Sequence, residues 1–154
     1  MIGVYDAELV LPVAQSLQKN GAEHAMVVHG LDGLDELTTT TNTKVAHLKN
    51  SEIKQYEISP SDIGVESASL AQIIGGDPAY NADAIKRLFN GELNGLEAYH
   101  DIVVLNGAAA LVVADKADSL SHGADMIRET LSLGGAAEQL KKMVAVSQQL
   151  KANA

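Results

Sequence analysis

Hydrophobic and polar positions fall into two rhythms along the chain. Ile2 to Tyr5 reads as a strand. Asp6 then offers a helix N-cap, and Val10, Val13, Ala14 and Leu17 recur at helical spacing until Asn20-Gly21 closes the helix. Pro12 lacks a backbone N–H, so regular helix is expected to begin near Leu11, after one irregular turn. His24 to His29 is short and apolar in its middle, which suits a buried strand. Lys44 to Leu48 and Glu52 to Ile58 alternate, and Lys49-Asn50-Ser51 between them predicts a hairpin turn.

After Pro60 the period lengthens. Gly75-Gly76-Asp77-Pro78 breaks the chain, and Ala79 to Phe89 reads as helix, stopped by Asn90-Gly91. Ala98 to Ala114 is apolar on nearly all sides and predicts a buried helix. Ser119 or Ser121 caps the next helix, which ends at Leu133-Gly134-Gly135. Ala137 to Leu150 is the last, with Leu140, Met143, Val144 and Ser147 on one face. Strand, helix, strand and hairpin followed by helices imply one α/β domain over residues 1–154, with a mixed sheet and a helix-rich second half.

Composition narrows the chemistry. The chain has 154 residues and no Cys or Trp, which excludes a disulfide scaffold, a zinc ribbon and a redox dithiol. One Phe and four Tyr are too few for base-stacking platforms. Eleven basic residues against twenty acidic ones give a formal charge of −9, the wrong sign for duplex DNA, so no nucleic-acid partner is expected. The apolar run from Ile102 to Ala114 falls short of the ~18–20 residues of a membrane span. The N-terminus lacks the basic flank and apolar stretch of a signal peptide. A cytoplasmic protein with no membrane partner is the expectation.

The densest polar feature is His29-Gly30-Leu31-Asp32-Gly33-Leu34-Asp35-Glu36, directly after the buried strand. Ligands of open α/β sheets sit at the carboxyl ends of strands. Carboxylates on a glycine-rich loop suit magnesium, which takes one or two protein carboxylates and completes its shell with water and substrate phosphates. The same residues also make an ordinary solvated turn, since Asp-Gly is common turn chemistry. The EF-hand ligand ladder is missing. His24, His47, His100 and His122 are scattered without metal-ligand spacing and read as surface or packing residues. Asn81-Ala82 and the run from Asn106 to Ala110 place an amide among small residues, which suits close helix packing. No nucleophile elbow, Walker sequence or dinucleotide fingerprint occurs.

Gly3-Val4-Tyr5, Ala25 to Gly30, Asp32 to Glu36, Asn81-Ala82 and Leu105 to Ala109 stand in an order and spacing that strongly resemble the C-terminal half of anthranilate phosphoribosyltransferase. The resemblance covers almost the whole chain, and its most specific part is VVHG followed by DGLDE. It implies a mixed, mostly parallel sheet flanked by helices and truncated at its N-terminal strands. It also implies transfer of phosphoribosyl from phosphoribosyl pyrophosphate to anthranilate, with Mg2+, in tryptophan biosynthesis. By the family's motif, Asp35 and Glu36 are the metal residues; Asp32 is given no ligand role. No catalytic residue is assigned.

The chain departs from the family at one point. Members are much longer, and their first half carries a small helical domain, a Gly-Thr-Gly-Gly-Asp pyrophosphate loop and a Lys-His-Gly-Asn-Arg segment; none of these occurs here. The chain is therefore expected to be a C-terminal fragment, inactive alone, that associates with itself through the truncated sheet. The other readings are a fragment of a related nucleoside phosphorylase, and a non-catalytic or split-enzyme binding module of the same fold.

Overall fold

The computed structural model describes residues 1–152. In chain order it has strand β1 (Ile2–Gly3), helix α1 (Val10–Lys19), strands β2 (His24–Gly30), β3 (Thr43–Lys49) and β4 (Glu52–Ile58), then helices α2 (Pro78–Phe89), α3 (Glu97–Val113), α4 (Leu120–Ser132) and α5 (Gly135–Ala152). Asp6 caps a short 3-10 turn, Ala7–Leu9, through the Glu8 amide at 2.9 Å, and this turn leads into α1. Pro12 falls in the first turn of α1, where its missing N–H costs nothing. Of the two candidate caps for α4, Ser119 is the one used, accepting from the His122 amide at 3.1 Å.

The four strands lie in the order β1-β2-β3-β4. β1 runs parallel to β2, while β2 with β3 and β3 with β4 are antiparallel. The sheet is mixed, as the residue pattern implies, but the expectation of a mostly parallel sheet is corrected: among the described strands only one pairing is parallel. The connections explain this. A parallel pair needs a crossover, and only β1 and β2 have one, through α1. β3 and β4 are joined by Asn50-Ser51 alone, and both residues have positive φ (51° and 63°), as a two-residue type I′ hairpin turn demands. Lys49 belongs to the strand rather than to the turn.

Both faces of the sheet are covered, which is why β2 is buried nearly end to end. On one face Val27 and Ala46 pack with Val10 and Ala14 of α1. On the other, Met26, Val28 and Val45 meet Leu105, Ala109 and Val112 of α3, with Leu37 among them. Each fully buried Val, Leu or Met contributes about 1.5–3 kcal/mol of transfer free energy. α3 then packs on α4 through Val104, Ala108, Ala124 and Leu131. A Cβ at Gly123 would lie 2.9 Å from the Ala108 carbonyl oxygen, so only glycine allows α4 to come this close. α3 is thus fixed between the sheet and α4. α5 is different: Met143, Val144 and Leu150 of its apolar side are exposed.

Candidate functional site

The acidic loop leaves the carboxyl end of β2 and returns to β3, at the sheet end where open α/β folds place their ligands. Its three carboxylates are held in two different ways. Asp32 turns inward. One of its oxygens accepts from the Leu34 amide at 3.1 Å; the other accepts from the hydroxyls of Thr38, at 2.6 Å, and Thr40. Burial pushes its acid up, but the bonds from Thr38, Thr40 and Leu34 outweigh this and leave it below the usual carboxylate value. Gly33, at φ 96°, supplies the left-handed turn between these groups. Asp32 is therefore the internal tie of the loop.

Asp35 and Glu36 turn outward. Both are exposed, and among the described residues neither carboxylate makes a hydrogen bond or ion pair. Their main chain is nonetheless fixed on both sides. Upstream, the Asp35 carbonyl sits directly over Gly3 of β1, where any Cβ would collide with it. Downstream, Leu37 is fully buried, and its peptide is bracketed by Asn106 of α3. The Leu37 N–H donates to Asn106 Oδ1 at 3.0 Å, and Asn106 Nδ2 donates to the Leu37 carbonyl at 2.8 Å. Asn106 also donates to the Ile102 carbonyl at 3.0 Å, within its own helix.

His29, the other candidate polar group at this strand end, is buried. Its Nδ1 lies 2.8 Å from the Val4 carbonyl, which can only accept, so Nδ1 carries the proton and ties β2 to the residue after β1. Tyr99 of α3 links the loop to a neighbouring cleft. Its phenol is pushed up first by burial and then by the negative charge of Glu36. The cleft, of ≈ 360 Å³, is lined by Ile73, Gly75, Tyr80, Asn81, Leu96 and Tyr99 among others. Asn81 grips the Gly76 peptide in the same manner as Asn106 grips Leu37, accepting from its N–H at 2.8 Å and donating to its carbonyl at 2.9 Å. Both asparagines thus serve main chain beside the site, a role that composition and spacing alone did not reveal.

Of the remaining histidines, His24 and His47 are not scattered. The antiparallel register of β2 and β3 puts them diagonally on one face, with Nε2 atoms 2.8 Å apart, at the opposite end of the sheet from the acidic loop. Their rings are nearly coplanar (13°), and a centroid separation of 5.0 Å matches two imidazoles joined end to end by an N–H···N bond. His100 and His122 face only their local carboxylates, Asp101 and Asp118.

Among the described residues no three His, Asp or Glu side chains gather into a metal cage. Two free, adjacent carboxylates on a fixed main chain could instead hold a hard cation that shares its shell with water and substrate phosphate. The residues present fit magnesium in that sense.

Comparison with known proteins gives the chain its family. The family model described as glycosyl transferase family, a/b domain, matches residues 1–137. The chain belongs to that family. It is 46% identical over 147 residues to the anthranilate phosphoribosyltransferase of Parvibaculum lavamentivorans, and 47% identical over the same length to that of Paramagnetospirillum magneticum. Each match covers 96% of this chain and 42% of the relative, so the chain spans less than half the length of these family members. Among solved structures, anthranilate phosphoribosyltransferase from Thermus thermophilus superposes with a TM-score of 0.83 at 34% identity, covering 93% of this chain and 41% of that one. The Saccharomyces cerevisiae enzyme in complex with PRPP and Mg has a TM-score of 0.80 at 24% identity, which carries the fold alone. No helix among the described residues is long and apolar enough to cross a membrane.

Proposed function

We propose that this chain is the magnesium-binding, C-terminal part of an anthranilate phosphoribosyltransferase, acting in the cytoplasm. The observation that carries the reading is the pair Asp35 and Glu36, presented outward and unpaired at the carboxyl end of β2. The surrounding sequence is 46–47% identical to enzymes of that name.

Displacing pyrophosphate at the anomeric carbon builds positive charge on the sugar and negative charge on the leaving group. Catalysis of such a step comes from positioning and from charge stabilisation at the departing oxygens. Magnesium, when bound, neutralises that leaving-group charge. Asp35 and Glu36 hold the ion, and their carboxylates alone would repel pyrophosphate, so the loop binds phosphate only through the metal. Asp32 keeps the loop in shape, and Asn106 and Gly3 fix its main chain. The chain carries no Gly-Thr-Gly-Gly-Asp loop of the kind that cradles pyrophosphate. It therefore holds one side of the reaction and is inactive alone.

The test is an anthranilate fluorescence assay with PRPP and magnesium. The purified chain is expected to consume no anthranilate. Addition of a separately produced polypeptide carrying the remaining part of the Parvibaculum relative is expected to restore turnover, and Asp35→Ala with Glu36→Ala is expected to abolish the restored activity. Turnover by the chain alone refutes its inactivity, and undiminished turnover by the double variant refutes the assignment of the acidic pair.

A further inference from the structure

The two clamps around the acidic pair differ in kind. At Gly3 the constraint is steric, an absent side chain beneath the Asp35 carbonyl. At Leu37 it is chemical: one amide side chain takes both polar groups of a peptide whose own side chain is anchored in the core. Between these two points lies only Glu36. Asp35 and Glu36 thus project from a main-chain segment with little freedom, although their side chains are in solvent. The base of the second clamp is itself rigid. Asn106 sits on α3, one residue before Gly107, whose Cβ would lie 3.0 Å from Ile127 of α4, and two residues before Ala108, against which Gly123 packs. Asn106 reaches across 69 positions of sequence, so the bond pair is a long-range tie and no product of helix geometry.

We propose that Asn106 is a positioning residue for the acidic pair. It touches neither carboxylate, but by bracketing the Leu37 peptide it fixes the direction in which Asp35 and Glu36 present their oxygens to a divalent cation. This deepens the reading above and rests on it. An amide is the one uncharged side chain suited to the task, because it donates and accepts from the same planar group at the spacing of a peptide. Aspartate could not donate to the Leu37 carbonyl, and an apolar residue would leave two buried main-chain groups without partners.

The experiment uses the 154-residue chain, with Mn2+ alone as the probe. Binding is followed by electron paramagnetic resonance and local freedom by amide hydrogen exchange. Four proteins are compared: wild type, Asn106→Ala, the double variant Asp35→Asn with Glu36→Gln, and Val104→Ala. Val104 is a fully buried α3 residue that faces α4 rather than the loop, so its truncation loosens α3 packing while leaving the clamp intact.

Asn106→Ala is expected to speed exchange at Leu37 by about tenfold or more and to weaken Mn2+ binding severalfold. The β2–β3 ladder is expected to stay protected, and Val104→Ala to keep wild-type Mn2+ affinity. Unchanged exchange at Leu37 in Asn106→Ala overturns the proposal whatever the metal does. So does unchanged Mn2+ affinity in that variant when the double variant has lost it, or an equal loss in Val104→Ala. If the double variant binds Mn2+ as well as wild type, the metal reading of the pair fails first and takes the proposal with it, a result visible without the Asn106 variant.

Discussion

Replacing Asp32 by alanine separates the structural carboxylate of the loop from the two outward ones. Asp32 accepts three hydrogen bonds, from the Leu34 amide and from the hydroxyls of Thr38 and Thr40. Bonds to a charged group contribute about 1.5–3 kcal/mol each when fully desolvated. Asp32 is only half-buried, so water replaces part of that, and about 2–3 kcal/mol in total is a fair expectation. For a chain of this length each kcal/mol moves the melting point by roughly 2–4 °C, which gives a drop of about 5–10 °C. Far-UV circular dichroism melts at neutral pH without metal measure it. The acid limb gives a second reading of the same interaction. The folded Asp32 acid lies below its usual value of 3.8, so the unfolded chain takes the proton first. The stability it contributes is complete above that value and is lost as pH falls past 3.8 through the lowered folded value. Asp32→Asn, which cannot titrate, is expected to lose that part of the acid sensitivity. A melting point for Asp32→Ala within about 1 °C of wild type, or an acid limb unchanged in Asp32→Asn, refutes the reasoning. Asp35→Ala and Glu36→Ala, by contrast, are expected to stay within about 0.5 kcal/mol of wild type in metal-free buffer.

Burial, then the charges of His24 and Lys49, hold His47 below its ordinary value of 6.5. The unfolded chain therefore protonates first, and stability is expected to fall as pH drops through 6.5 toward the lowered folded value; chemical denaturation between about pH 8 and 5 should show this slope in wild type and a flatter one in His47→Gln. Ser51→Gly, at a residue with φ 63°, is expected to raise stability by about 0.5–1 kcal/mol, read as a higher denaturation midpoint. Gly3→Ala drives a methyl group into the Asp35 carbonyl and is expected to cost about 1–3 kcal/mol and to loosen the loop, seen as faster amide exchange at residues 34–37. β1 is an edge strand paired on one side, with Ile2 and Tyr5 exposed beside it, so self-association is expected at micromolar concentration; sedimentation velocity showing only monomer would count against it.

The elements were legible because their signals were local. Asp6, Gly21 and Ser119 each end or begin an element by a bond or a backbone angle that the residue type dictates. The apolar band of α3 announced burial because it lies between a sheet and another helix. The direction of the strands was not legible in the same way. It depends on whether a connection crosses over or turns back, and residues 31–42 could have done either until their path was known. The pairing of His24 with His47 was hidden for a similar reason. Two histidines far apart in sequence become neighbours only once the β2–β3 register is fixed, and a shift of that register by one residue would put them on opposite faces.

The acidic loop shows the limit most directly. Asp32, Asp35 and Glu36 share a chemistry and a glycine-rich setting, so residue type cannot rank them. What separates them is where the polar partners stand. Thr38 and Thr40 come later in the loop and fold back onto Asp32, consuming its lone pairs. Asn106 comes from another helix and takes the main chain instead of a side chain, leaving Asp35 and Glu36 unspent. A carboxylate already satisfied by hydroxyls must give up those bonds to bind a cation. A free carboxylate on a fixed backbone gives up only water and little main-chain entropy. The proposed division of the loop into a tie and a ligand pair rests on this hydrogen-bond accounting, which makes the ranking testable: metal should stabilise wild type and Asp32→Asn by similar increments, and leave the melting point of the Asp35, Glu36 double variant unmoved.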